Sequence, residues 1–323
     1  LILLALGSAD ACSCDPVHPC LDQVPTRASA IPGDVQKGAA DNDFFPPVLH
    51  SSEFEPPVPM PAPITTAGAE DSPFHAPDGS SLIFFFAPDA RVPAEEQVQD
   101  CTVGLWRSER AGDGWSEPER LLLSDDLAMD GCPVIQGEEL WFCSVRAGNR
   151  QEIDVYRADL GDGVPTNWRR AEERLNGDIP FGEWHLTADG STMYYGASGP
   201  DSLGEQDLYS LSRQGDGWGD PQNLGPMVNG PGDQAFPYVT PDGSELYFGQ
   251  NSAQGGTGPA VWRSLRQADD SWGPPEEIVS NFAGEPNLDA DGNLIFVHHY
   301  MTDPSAGPIE IVEADLFIAR RRP

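Results

Sequence analysis

The chain has 323 residues, 39% of them apolar, with 34 Gly, 32 Pro and a formal charge of −34 from 52 acidic and 18 basic residues. That Gly and Pro content suits many short strands joined by turns rather than long helices. A surface so negative repels phosphate backbones, which excludes nucleic acid as a partner, and no apolar run is long enough to cross a bilayer as a helix.

Residues 1–6 are apolar and lack an initiator Met or a basic flank, so residues 1–11 read as the remainder of a signal peptide. Ala9-Asp10-Ala11 offers a small-x-small cleavage pattern, and Cys12 follows at once. A Cys in that place resembles a bacterial lipoprotein, in which it carries lipid. Asp10 departs from that pattern, so free secretion stands beside attachment to an outer membrane or cell surface. Both readings export the protein, where disulfides persist. Residues 12–51 are rich in Pro, Ala, Asp and Ser without any period and are expected to form a disordered tether. Residues 52–323 are then the folded domain.

A repeat of about fifty residues fills that domain. Pro77-Asp78-Gly79-Ser80 precedes the strand-like run Leu82-Ile83-Phe84-Phe85. The same turn recurs as Ala188-Asp189-Gly190-Ser191, Pro241-Asp242-Gly243-Ser244 and Ala290-Asp291-Gly292-Asn293, with a degenerate copy at Gln136-Gly137. Asp-Gly is hairpin chemistry, because Gly accepts positive φ and Asp bonds its own backbone. After each hairpin comes an alternating strand, such as Leu105-Trp106-Arg107-Ser108, Asp207-Leu208-Tyr209-Ser210 or Asp315-Leu316-Phe317-Ile318. A third motif, aromatic-x-x-Pro-x-x-aliphatic, runs through Trp115, Pro118 and Leu121, then Trp218, Pro221 and Leu224, then Trp272, Pro275 and Ile278. Trp168 with Leu175 is a looser copy. Proline lacks a backbone donor, so this strand belongs at a sheet edge.

Each unit therefore supplies four antiparallel strands, the signature of a β-propeller. The phase of the repeat sets the closure. An edge-type segment (Phe54, Pro57, Met60) stands before the first hairpin, and the last unit ends on its third strand. Residues 54–60 are expected to complete the last blade and close a ring of five. The fold class is all-β, a five-bladed β-propeller expected to be monomeric.

The Pro-Asp-Gly-Ser hairpins followed by Leu-Tyr-Phe, the Asp-Leu-Tyr-Ser strand, and Gly215-Asp216-Gly217-Trp218 leading into Pro221 and Asn223-Leu224-Gly225 together resemble the TolB-like or WD-like propellers of exported bacterial proteins. The resemblance spans about residues 52–323. It implies the propeller architecture and a range of roles, from periplasmic scaffolds to peptidase gating and carbohydrate-active domains, so it implies no single activity.

In this architecture the first strand of each blade lines a central channel. Those strands carry Glu70 and Asp71, Asp130, Glu183 with Trp184 and His185, Asp233 and Gln234 with Phe236, and Glu285. Read together they form an acidic ring, with His75 nearby, that suits a cation such as Ca2+ or a polar ligand. The leading expectation is a non-catalytic binding or scaffolding module with a protein or glycan partner. The alternative is a carbohydrate-active enzyme using Asp71, Glu183 or Glu285, two of which must then lie about 5–10 Å apart. The adjacent His298 and His299 point to opposite faces of their strand and are expected at the rim. Cys132 and Cys143 flank the Gln136-Gly137 turn and are expected to form a cross-strand disulfide, or one of them to bridge to Cys101. The Cys spacing matches no zinc signature.

Overall fold

The structure, a computed structural model, describes residues 25–97, 101–177, 179 and 181–323. Cys12 and the leader, with Cys14 and Cys20, lie outside the described residues. Five antiparallel sheets form the blades of a ring. Running outward from the axis, the first blade comprises Ala69–His75, Ser81–Ala87, Gly104–Ala111 and an outer strand split into Gly114–Trp115 and Glu119–Arg120. The second holds Ala128–Gln136, Glu139–Arg146, Asp154–Asp159 and Thr166–Arg170. The third holds Trp184–Leu186, Thr192–Ala197 and Asp207–Gln214, with Gly217–Trp218 and Gln222–Asn223 outside. The fourth holds Ala235–Val239, Glu245–Asn251, Pro259–Leu265 and Glu276–Ser280.

The fifth blade closes the ring as its phase requires. Ala283–Leu288, Leu294–Met301 and Ile311–Ala319 come from the C-terminus, and Val58–Pro59 pairs outside them, Val58 opposite Ile318 and Pro59 opposite Phe317. Backbone bonds extend the join on both sides, from Met60 N to Leu316 O (2.8 Å) and from Arg322 N to Glu53 O (2.7 Å).

The hairpin turns work as their sequences dictate. The Asp78, Asp189 and Asp242 carboxylates accept the backbone N–H two residues on. Gly79 sits at φ 76°, and Gly137 of the degenerate copy at 61°, where a side chain would be strained. In the last blade the accepting carboxylate is Asp289, which takes the Asp291 and Asn293 N–H groups. A further repeat device escapes the motif reading. Asn176 and Asn229 imitate a neighbouring strand, each bonding both the N–H and the C=O of one residue, Val155 and Leu208 respectively.

The apolar core is five wedges, one at each junction between blades. Alternation along a single strand feeds two of them: Leu82, Phe84 and Phe86 pack toward the fifth blade, and Ile83 toward the second. This explains why the second strands read as continuous apolar runs, since both faces are buried.

Residues 25–50, read from the sequence as part of the tether, instead lie against the ring. Arg27, in a short helical turn, is 2% exposed and sits over Phe84, Phe86 and Trp106. Phe45 meets the Phe282 ring edge-on at 5.1 Å. Val48–Leu49 then pairs with Glu276–Ser280, so the fourth blade has an additional strand outside its proline-marked one. A few charged and aromatic anchors hold this segment, and they leave no periodic trace in a Pro- and Ala-rich composition.

Two of these features carry measurable stability. Phe54 is fully buried in the wedge between the fourth and fifth blades. Phe54→Ala is expected to cost about 3–5 kcal/mol, read as a lower urea midpoint. Cys132 and Cys143 form a disulfide across 11 positions, with Cα atoms 5.4 Å apart. Replacing both by Ser is expected to cost about 2–3 kcal/mol in the same measurement.

Candidate functional site

The inner strands share an irregularity that builds the channel. In four blades the register shifts by a bulge, between Asp71 and Phe74, Gly131 and Val134, Ala235 and Tyr238, and Gly284 and Asn287. The bulged residue has positive φ, at Ser72 (45°), Cys132 (49°), Phe236 (54°) and Glu285 (51°), and a proline follows each. Proline cannot donate to the ladder, and it bars its predecessor from the right-handed helical region, so the bulge is a local consequence of sequence. The third blade has Glu183-Trp184 at this position, without proline and without positive φ.

These five positions and the residues after them ring a central cavity with about 50 Å³ of room for water-sized molecules. That admits a few waters and is far below the roughly 300 Å³ at which small-molecule pockets begin.

The expected acidic ring divides into two sets, because neighbouring strand residues face opposite ways. Glu70, Asp130 and Gln234 turn away from the axis. Glu70 meets Arg27 at 3.1 Å, Asp130 meets Arg146 and Ser144, both at 2.7 Å, and Gln234 bonds Gln250 and the Gly230 N–H. Asp233 lies outside the cavity wall, half-buried in a bridge to Gln206. A single ring of carboxylates at one height is therefore corrected to buried side chains that face away from the axis and are tied by internal bonds, and an inner group of three.

That inner group is Asp71, Glu183 and Glu285, from the first, third and fifth blades. Glu285 Oε2 accepts the Ser72 N–H (2.9 Å) and hydroxyl (3.0 Å), and Asp71 accepts the same N–H at 2.6 Å. Burial pushes Glu285 well above the ordinary carboxyl range, and the charges of Asp71 and Glu183 add to it. Glu183 is raised to about 8 by burial and by Asp71. Among the described residues no hydrogen bond reaches its carboxyl. The three do not converge on one ion. Among the described residues, the acidic set whose oxygens meet within 4.8 Å is Glu70, Glu313 and Asp315, buried between the first and last blades.

The aromatic and histidine candidates are mostly wall. Trp184 lines the cavity and meets Trp141 edge-on at 6.3 Å in the wedge between the second and third blades. Phe236 lines the wall opposite the fourth blade's second strand, close to Gly249. His185, beside Tyr238, is lowered to about 4 by burial and so is neutral at pH 7. His75 is buried against Trp115 and bonds the Ala76 carbonyl. His298 and His299 are not at an exposed rim. His298 is fully buried and 3.1 Å from Asp43, while His299 faces Asp71, with burial lowering it and Asp71 opposing that. Ser72 is the channel residue that sequence reasoning missed, and the Ser-Pro bulge was a usable signal for it. Cys132 bonds Cys143 across the sheet rather than bridging to Cys101, and Cys101 is itself disulfide-bonded, so no free thiol is left in the domain.

The raised Glu183 has a thermodynamic consequence. Below its ordinary value of 4.5 it is neutral in the folded and the unfolded chain alike. Between there and about 8 the unfolded chain releases a proton that the fold retains, so stability falls as pH rises across that window. Glu183→Gln removes this slope. Its melting temperature relative to the parent is expected to gain about 2 °C or more between pH 4.5 and pH 8 in thermal scans.

No known protein family and no curated protein matches the chain. Solved structures do. A protein assigned as TolB from Agrobacterium tumefaciens aligns over 80% of this chain and 92% of its own at 18% identity, TM-score 0.45. A thermostable family-43 glycoside hydrolase aligns over 82% and 97% at 13% identity, TM-score 0.48. TolB from Acinetobacter baumannii aligns over 75% at 16% identity, TM-score 0.38, and this chain spans about half, 53%, of its length. These are likenesses of fold alone, and the five-bladed ring itself is read from the five antiparallel sheets.

Proposed function

We propose that the protein is a non-catalytic binding or scaffolding module that works outside the cytoplasm and presents its blade surfaces and rim, not its channel, to a partner. The size of the central cavity carries this reading, because about 50 Å³ holds waters and not a sugar ring. Two further observations support it. The Asp71 and Glu285 carboxyls are both engaged by the Ser72 N–H, at 2.6 and 2.9 Å, rather than left free to act on a glycosidic bond. The buried carboxyls Glu70 and Asp130 are held in internal ion pairs and are not free for a channel ligand.

The partner's chemistry follows from charge. With 52 acidic and 18 basic residues, the surface favours a protein or peptide with a basic face, drawn in by long-range attraction that salt weakens. Export is supported by the disulfides at Cys132–Cys143 and Cys101. Lipid on Cys12 is the form of attachment we infer for an anchored protein. Among the described residues no helix is long and apolar enough to cross a membrane.

Carbohydrate chemistry is the second reading, favoured by Glu183, which burial keeps protonated as an acid must be. One experiment separates the two. The protein and its Glu183→Gln variant are incubated with an oligosaccharide panel and, in parallel, titrated with a labelled Arg-rich peptide at low and high salt. Intact glycans and peptide binding that weakens by about tenfold or more in high salt are expected. Shortened glycans that the variant fails to produce would establish the enzyme instead.

A further inference from the structure

Two grooves between blades are built on corresponding residues. Between the fourth and fifth blades, Glu245 and Tyr247 of the second strand and Arg263 of the third face Phe54 and Arg321, which pair across the fifth sheet. Between the second and third blades the same places are held by Glu139, Trp141 and Arg157, facing Trp218 and Arg213, which pair across the third sheet. In both grooves the third-strand guanidinium lies over the second-strand ring, Arg263 at 6.0 Å from Tyr247 and Arg157 at 5.2 Å from Trp141.

The grooves differ in one carboxylate. Glu53, the residue before Phe54, crosses to the fourth blade and accepts from both Nη atoms of Arg263, at 2.7 and 2.8 Å. The residue before Trp218 is Gly217, which has no side chain to send across. The fourth strands add a second difference. Glu276 stands opposite Arg263, but Arg169 stands opposite Arg157.

Arg157 is left open as a result. Its side chain is 24% exposed, against 4% for Arg263. Its Nε is buried without a hydrogen-bond partner. Among the described residues, the carboxylates in ion-pair range are Glu139 at 3.5 Å and Glu172 at 3.7 Å, and both approach Nη1. Each is drawn more closely to another arginine, Glu139 to Arg169 and Glu172 to Arg213 at 3.2 Å. The space is free as well: a Cβ on Gly217 would meet nothing nearer than the Gln214 carbonyl oxygen at 4.0 Å.

We propose that the groove between the second and third blades binds a carboxylate side chain of the partner, which takes at Arg157 the place that Glu53 takes at Arg263. A planar guanidinium holds a carboxylate through two parallel hydrogen bonds, and Glu53 is this chain's own example of one delivered by an extended segment. The site rests on the binding-module reading: within the basic partner face that the overall charge favours, one acidic residue is the anchor that fixes register.

The probes are the blocked tripeptide Gly-Glu-Gly and its Gly-Gln-Gly counterpart, titrated into isotope-labelled protein while the indole N–H signal of Trp141 is followed. The glutamyl peptide is expected to bind about tenfold or more tighter than the glutaminyl one. Gly217→Glu, whose own carboxylate fills the groove, is expected to abolish that preference. Equal binding of the two peptides, no shift with either, or a preference that survives Gly217→Glu would each overturn the proposal. Each of these results leaves the salt-dependent binding of the Arg-rich peptide untouched, so the site and the binding-module reading fail separately. Thermal scans supply a second test that needs no ligand. Gly217→Glu is expected to raise the melting temperature by about 2 °C or more in the parent and not in an Arg157→Gln background. A rise of equal size in both, or none in the parent, would count against an open carboxylate position at Arg157.

Discussion

Closure of the ring is the constraint on which the rest depends. Every blade is apolar on both faces, and each wedge of core exists only between two neighbours. An open ring would expose both faces of the wedge at the break, as in other stacked repeats that cannot bury a face alone. The chain avoids this by giving its last blade an outer strand from residues near its beginning, so that Val58–Pro59 lies beside Ile311–Ala319. The long sequence separation of these partners makes their backbone bonds the ones that tie start to end.

A second constraint, local and repeated, shapes the channel. Proline in four of the inner strands forces a bulge with a left-handed residue ahead of it. The bulge turns that residue toward the axis and narrows the opening. Glu285, itself the bulged residue of the fifth blade, is brought in this way to a space holding a few waters, beside Glu183 of the unbulged third blade. Their chemistry follows from confinement more than from residue type. Burial raises Glu183 to about 8 and pushes Glu285 well above the range of an exposed glutamate. Asp71 and Glu285 come to share the Ser72 N–H, which neither residue announces alone.

The N-terminal segment links these two constraints to the acidity of the chain. Two of the few basic residues, Arg27 and Lys37, lie at the seam against Glu70, Glu313 and Asp315. Removing buried charge of one sign is costly unless it is paired, and cations placed here join the first blade to the last. Farther along the same segment, Asp43 reaches the buried His298 and Phe45 reaches Phe282.

The fold was legible because its determinants are local and repeated: Asp-Gly turns and edge prolines each recur in four of the five units and two-residue alternation in all five, and their phase alone assigns residues 54–60 to the last blade. The site was legible only in part. Sequence named the three channel carboxyls, Asp71, Glu183 and Glu285, since all inner strands could be aligned. It could not separate Glu70 from Asp71, because which of two neighbours faces the axis depends on where the bulge falls. Nor could it show that His298 meets Asp43 or that Lys37 lies between Glu313 and Asp315, contacts between residues about 255 and 275 positions apart. Repetition along the chain thus determined the ring. Only the closed ring, by bringing its two ends to one seam and five strands to one axis, decided which charges meet and which of them keep a proton.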